Sequence, residues 1–302
     1  MMSNRQADVL FMLIKSLEKA EKRHFKLYIN RSSARAGELK VVRLFDLIDK
    51  QREYNEDSLL KRMLGVTKSQ FANLKTHLYR EILASLRLLK RSDSIDLEIN
   101  ELFDYAHILY KKGLYLASLR MLEKAKELAR NYDKINIIPQ LLSLEKRIEG
   151  LHITRQVEFR VDEIARESAA VIDQIRRVGQ LSNLALKLFS WFVQHGHARD
   201  QSDETAVRSF LQEHLPTDAW SYTGFYERLY LYQSLSWFAF IRQDFVQYYR
   251  YAQKWVSLFT EEPARIRTET GHYIKGLHTL LNAQFDLRHH RAFRDTLHRL
   301  EA

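Results

Sequence analysis

Residues 102–130 read LFDYAHILYKKGLYLASLRMLEKAKELAR. Apolar side chains recur here in steps of three and four, as in Leu102, Tyr105, Ala106 and Leu109, the period of a helix buried along one face. Gly113 interrupts the pattern after two lysines, and the period resumes at Tyr115. A glycine accepts the backbone conformation of a tight turn, so the segment predicts two helices joined at Gly113. Ala106, Ser118 and Ala125 are small enough to let the two helices approach closely, while Tyr115 and Leu122 fill the space between them.

The same period runs through nearly the whole chain, and no alternation of strand type lasts long enough to compete with it. Only 9 Gly and 3 Pro occur in 302 residues, too few for the turns of a sheet protein or for a phosphate-cradling loop. The fold class is all-α. Beyond Ser94, further turns are expected near Thr154, Gly196, Gln243 and His289, so that turns recur about 40 to 47 residues apart. Such a recurrence predicts antiparallel helix pairs stacked in a right-handed solenoid, each pair burying its apolar face against its neighbours.

The quoted stretch resembles a tetratricopeptide repeat, with Ala106, Leu109, Gly113, Tyr115, Ser118, Leu122 and Ala125 at the matching offsets. A second unit is similar more loosely: Ser236, Ala239, Gln243, Phe245, Tyr248, Ala252 and Trp255 keep the offsets but depart from glycine at the turn. The segments SLEKAEKRHFKLY, residues 16–28, and LFDLIDKQREY, residues 44–54, are similar to an uncharacterised bacterial family with such repeats. The resemblance implies a TPR-like array that binds a protein or peptide on its concave face without chemistry of its own.

Charge divides the chain differently. Residues 1–95 hold 20 Lys and Arg against 11 Asp and Glu, whereas residues 96–302 hold 28 against 27. The composition changes around Arg91-Ser92-Asp93-Ser94, which places a domain boundary there: a basic N-terminal helical bundle over 1–93 and the repeat domain over 94–302. Helices are expected at roughly 5–30, 38–52, 56–64 and 67–91, with a loop of small and basic residues over 31–37. Within the bundle, SLLKRMLGVTKSQFANLKTHL, residues 58–78, resembles a DNA-binding helix-turn-helix, with Gly65 at the turn and Phe71 and Leu74 facing inward. That resemblance nominates Lys68, Ser69, Gln70 and Asn73 for base edges and Lys75 and Arg80 for phosphates. Lys61 departs from the motif, which wants a small residue there.

The densest local composition lies at residues 220–259, which hold 15 of the 35 aromatic residues. Aromatic side chains so concentrated either fill a core or line a groove, because Tyr and Trp combine an apolar body with a polar edge. Tyr226, Tyr230, Trp237, Arg242, Tyr248 and Tyr249 are the candidate partner-binding residues, with Arg228 and Arg250 available to an acidic peptide. His195-Gly196-His197 offers ring nitrogens but no His/carboxylate pair at helical spacing, so it is read as a solvated turn and no metal is expected.

No GxSxG elbow, P-loop, GxGxxG or HExxH motif occurs, and the chain holds no cysteine. The sequence therefore reads as a non-enzyme with no cofactor. No apolar run approaches the length of a membrane span, and none has the flanks of a secretory signal, which favours the cytoplasm. Two functions are expected: a protein- or peptide-binding scaffold, or a transcription regulator whose N-terminal helices bind DNA while the repeats sense a partner.

Overall fold

The computed structural model describes residues 8–32, 36–63, 65–90, 94–151 and 157–301. Among these residues the protein is all-helical and has no strand, as the period of its apolar residues dictates. The chain forms two compact units, Met1–Val157 and Glu158–Ala302. The compositional boundary at 93/94 therefore falls inside the first unit, and residues 91–93 lie outside the described residues.

The first unit begins with α1 (Val9–Ser16), α2 (Lys19–Ser32), α3 (Ala36–Lys50), α4 (Glu56–Arg62) and α5 (Lys68–Leu89). The first stretch, expected as one helix, is broken at Leu17, whose backbone is extended at φ −68° and ψ 133°. No Gly or Pro marks the break; the Glu21 carboxylate restarts the helix by accepting the Glu18 N–H at 2.8 Å. The loop expected over 31–37 is shorter than its composition implies: helix runs to Ser32 and resumes at Ala36, and residues 33–35 lie outside the described residues. Leu10, Ile14, Phe25, Phe45, Leu59, Phe71 and Ile82 close one core among the five helices, with the Phe25 and Phe45 rings 4.7 Å apart.

Next come α6 (Ile95–Lys111), α7 (Tyr115–Asn131) and α8 (Ile138–Leu151). Gly113 closes the α6–α7 turn at φ 77°, and Ala106, Ser118 and Ala125 are fully buried where the two helices meet. The Ser118 hydroxyl donates to the Ala106 carbonyl across that contact at 2.7 Å, an approach that a larger residue would prevent. Helix α8 packs on both α6 and α7. The turn expected near Thr154 lies outside the described residues.

The second unit is opened by α9 (Val157–His195) and continues with α10 (Gln201–His214), α11 (Phe225–Ile241), α12 (Phe245–Glu261), the short α13 (Arg265–Thr268), α14 (Thr270–Asp286) and α15 (His290–Glu301). Turns occur where the sequence placed them: Gly196 at φ 75°, Gln243 at φ 56°, and Arg288 at φ 58° beside His289. Between Thr154 and Gly196, where a repeat of paired helices needs two elements, there is one helix of 39 residues. Gly179 is the one glycine within α9, and the rest of the segment keeps helical period without a breaker. Helix α11 starts at Gly224, whose N–H donates to the buried Glu227 carboxylate at 3.0 Å, and the other oxygen of that carboxylate accepts from Arg177 of α9. Each helix from α11 to α15 packs on its neighbours in the chain, α11 on α12, α12 on α14 and α14 on α15.

Candidate functional site

Four of the fifteen aromatic residues of the segment 220–259 are buried in the core, Phe225, Tyr248, Trp255 and Phe259. Trp255 and Phe259 are wholly buried between α12 and the start of α11, Phe225 meets Phe259 edge to face at 5.4 Å, and Trp255 packs against Gly276 of α14. Tyr248 is also buried, 5.0 Å from the Phe240 ring, and burial pushes its hydroxyl up to about 12. Of the six candidate residues, Tyr248 thus has its ring within the packing between helices.

Three others form one stripe. Tyr226, Tyr230 and Trp237 lie four and seven residues apart on α11, with Gln233 between the last two, and all four are half-buried. The Tyr226 hydroxyl donates to Glu269, just before α14, at 2.6 Å. Tyr230 sits edge-on to His272 of α14 at 5.7 Å, and burial followed by the Glu269 charge raises its hydroxyl pKa. Trp237 packs on Phe189 and Phe192 of α9 at 5.2 and 5.7 Å, and the Lys275 ammonium of α14 stands 5.9 Å from its ring. The Gln233 side-chain oxygen is buried in this stripe without a hydrogen-bond partner. Helices α9, α11 and α14 therefore contribute to one continuous surface of aromatic rings with polar edges.

The remaining candidates lie elsewhere. Arg242 pairs with Glu204 of α10 at 2.6 Å, and its guanidinium covers the Phe238 ring at 5.0 Å. Tyr249 accepts from Gln253 at 2.7 Å and meets His289 edge-on at 5.2 Å. Arg228 reaches Glu261 at 3.2 Å, so two of the three arginines proposed for an acidic peptide are already engaged by carboxylates. The His197 ring donates from Nδ1 to the Phe240 carbonyl, 2.9 Å away, and lies against Phe192 and Phe240. Among the described residues no group of three or more His, Asp or Glu is arranged to hold a metal ion.

Pattern reading missed three residues of α9. Leu186, Phe189 and Val193, at 65%, 42% and 66% exposure, follow helical spacing along the face that meets Trp237. The opposite face of α9 holds Leu181, Leu184 and Leu188 in the core with α10 and α11. The sequence does carry this signal, a second apolar stripe on a helix that needs only one for its core.

The N-terminal candidates form a basic corner. Thr67 caps α5: its hydroxyl accepts the Gln70 N–H at 3.3 Å while the Gln70 side chain accepts the Thr67 N–H at 3.0 Å. Lys68, Ser69, Asn73 and Arg80 are exposed on α5, and Lys61 and Arg62 end α4 beside the turn. None of these four cations pairs with a carboxylate among the described residues. Arg43 of α3 fixes the end of α4 by donating to the Arg62 carbonyl at 3.0 Å. Lys75 is different: its ammonium donates to Asp8 at 2.5 Å, to Tyr54 at 2.6 Å and to Glu56 at 3.0 Å. All three of its donors are occupied within the fold, joining the N-cap of α1 to the start of α4.

No helix of the described residues is long and apolar enough to cross a membrane. No family model matches the chain, and neither the curated proteins nor the solved structures hold a match to it.

Proposed function

We propose that the protein is a non-catalytic, cytoplasmic scaffold that binds a polypeptide segment on the surface formed by α9, α11 and α14. In this reading the helices after Ser94 form a right-handed, TPR-like stack of antiparallel pairs interrupted by the single long α9, and α9, α11 and α14 each turn one face toward the partner. One observation carries it: Phe189, Trp237 and Lys275 come from three different helices, α9, α11 and α14, onto one partly exposed surface. Aromatic rings with one wet edge are the usual anchors of protein interfaces, and a core would have closed over them.

The test is site-specific crosslinking in the native host. A photoreactive phenylalanine at Phe189 is expected to capture a discrete protein, and the same group at the more exposed Val246 of α12 is not. Equal capture at both positions, or at neither, refutes the reading.

A second reading, a DNA-binding regulator, rests on the basic corner. Lys68, Ser69 and Asn73 lie at a capped helix start with Arg80 further along the same helix. Lys75 belongs to the support of that corner and Gln70 to its cap, leaving Lys68, Arg80 and the α4 cations for phosphates. Replacing Lys68 and Arg80 by Ala is expected to weaken binding to duplex DNA and to reduce the slope of affinity against salt by about 2, one for each lost phosphate contact. An unchanged slope removes this reading.

A further inference from the structure

The surface of α9, α11 and α14 has a charge signature that its aromatic content hides. Residues 178–195, 228–241 and 270–285 contain no Asp or Glu at all, in a chain that carries 38 of them. The same three stretches hold Lys187 and Lys275 together with His195, His272 and His278, and Arg228, which pairs with Glu261 at 3.2 Å. Lys187 and Lys275 are exposed and pair with no carboxylate among the described residues. Elsewhere in the second unit, cations are matched at close range, as in Arg177 with Glu227, Arg208 with Glu204 and Arg265 with Glu262. The acid at this surface is Glu269, just before α14, and its carboxylate accepts from the Tyr226 hydroxyl, so Lys187 and Lys275 are left without a matching carboxylate among the described residues.

On α9 its most exposed apolar residues are aliphatic, Leu186 at 65% and Val193 at 66%. Leu186, Phe189 and Val193 step by three and four along α9, so they form a ridge that a second helix packs against by inserting its own ridge alongside. From this geometry we infer that the occupant is an acidic amphipathic helix of another protein, with its apolar stripe on Leu186, Phe189 and Val193 and its carboxylates over Lys187 and Lys275. This rests on the preceding reading that the surface binds polypeptide, and adds the conformation and charge of what it binds. A single-stranded nucleic acid fits less well, because base stacking needs exposed ring faces and a track of cations, whereas two lysines flank an aliphatic ridge here.

The experiment measures binding of the full chain to three probes. One is a designed helical peptide of about 18 residues with Leu on one stripe and Glu beside it; the second replaces every Glu by Lys; the third is single-stranded oligothymidylate. The acidic peptide is expected to bind, to weaken when salt rises from about 50 to 200 mM, and to exceed the basic peptide by about tenfold or more. Leu186→Glu is expected to abolish it, and Lys275→Glu to transfer preference to the basic peptide; both positions are exposed, and unchanged helical circular dichroism verifies that the variants fold. Equal binding of both peptides, lost in Phe189→Ala, overturns the charge assignment while leaving a peptide surface. Binding of neither peptide overturns the inference, and the Phe189 crosslink then decides the underlying reading by itself. Preference for the oligonucleotide overturns it in favour of a nucleic-acid surface.

Discussion

Helices α7 and α8 are joined by a pair of charges that the rest of the core does not resemble. Lys126 and Glu145 are each 1% exposed, with the ammonium 2.7 Å from the carboxylate, and the half-exposed Glu123 lies 3.2 Å from the same ammonium. Glu145→Leu removes the buried partner of the Lys126 cation, with the half-exposed Glu123 still within reach. Stranding a charge by removing one buried partner costs about 3–5 kcal/mol, and the lower end applies because Glu123 stays within reach. Replacing both residues, as Lys126→Met with Glu145→Leu, removes the desolvation penalty together with the attraction and is expected to fall within about 1 kcal/mol of the parent or above it. Urea unfolding followed by circular dichroism on the parent, both single variants and the double variant closes a double-mutant cycle. A coupling of roughly 2 kcal/mol or more is expected. A Glu145→Leu cost below about 1 kcal/mol, or a double variant as unstable as the single, refutes the reasoning.

Three further outcomes follow from the packing. Gly276→Ala puts a methyl 3.1 Å from the Trp255 ring, which has nowhere to move, and is expected to lose about 1 kcal/mol net of the gain in helix propensity. The same change at Gly179, where no atom lies within 4 Å of the new methyl, is expected to gain about 0.5–1 kcal/mol, so thermal denaturation of the two variants should shift in opposite directions. Ser118→Leu overfills the α6–α7 contact and is expected to destabilise by about 1–3 kcal/mol in urea titration, whereas Ser118→Ala loses about 1 kcal/mol with its hydrogen bond. Asp8 resists the upward push of burial because Lys75 and the Phe11 N–H hold its carboxyl below the usual range, and the hydrogen bonds from Lys75 and Tyr54 lower that of Glu56. Groups depressed in the folded state stabilise above their unfolded values and lose that contribution as pH falls through the folded ones. Stability should therefore decline below about pH 5, and less steeply in Lys75→Met, as read from urea midpoints across pH.

How much of this was legible in the sequence depends on range. Helix starts were, because caps are local: Asn55, Thr67 and Ser94 each precede a helix and accept the free N–H of its third residue. The turns at Gly113 and Gly196 were also legible, through a residue that tolerates positive φ, whereas the turn at Gln243 followed from the repeat offsets alone. The break at Leu17 was not, since an extended leucine has no compositional mark and only Glu21 reveals it. The single long α9 was hidden by regularity, since a repeat period imposes a turn that the residues do not supply. In the candidate site, the stripe Tyr226, Tyr230 and Trp237 follows from helical spacing, but its separation from the buried Tyr248 and Trp255 depends on which neighbour covers each face. Lys75 shows the limit most plainly. Its charge and position suit a phosphate ligand, and only the arrival of Asp8, 67 residues earlier in the chain, claims it for the fold.

The partial cover over Trp237 makes the second unit its own optical gauge. All four tryptophans lie beyond residue 157, and they differ in access to water: Trp255 is shut in, Trp220 is 58% open, and Trp237 stands between these extremes. A collisional quencher such as acrylamide distinguishes them without a label. An occupant seated on the ridge shields Trp237 and shifts its emission to the blue while Trp220 stays as quenchable as before, so the unmodified chain reports when, and where, something lands on it.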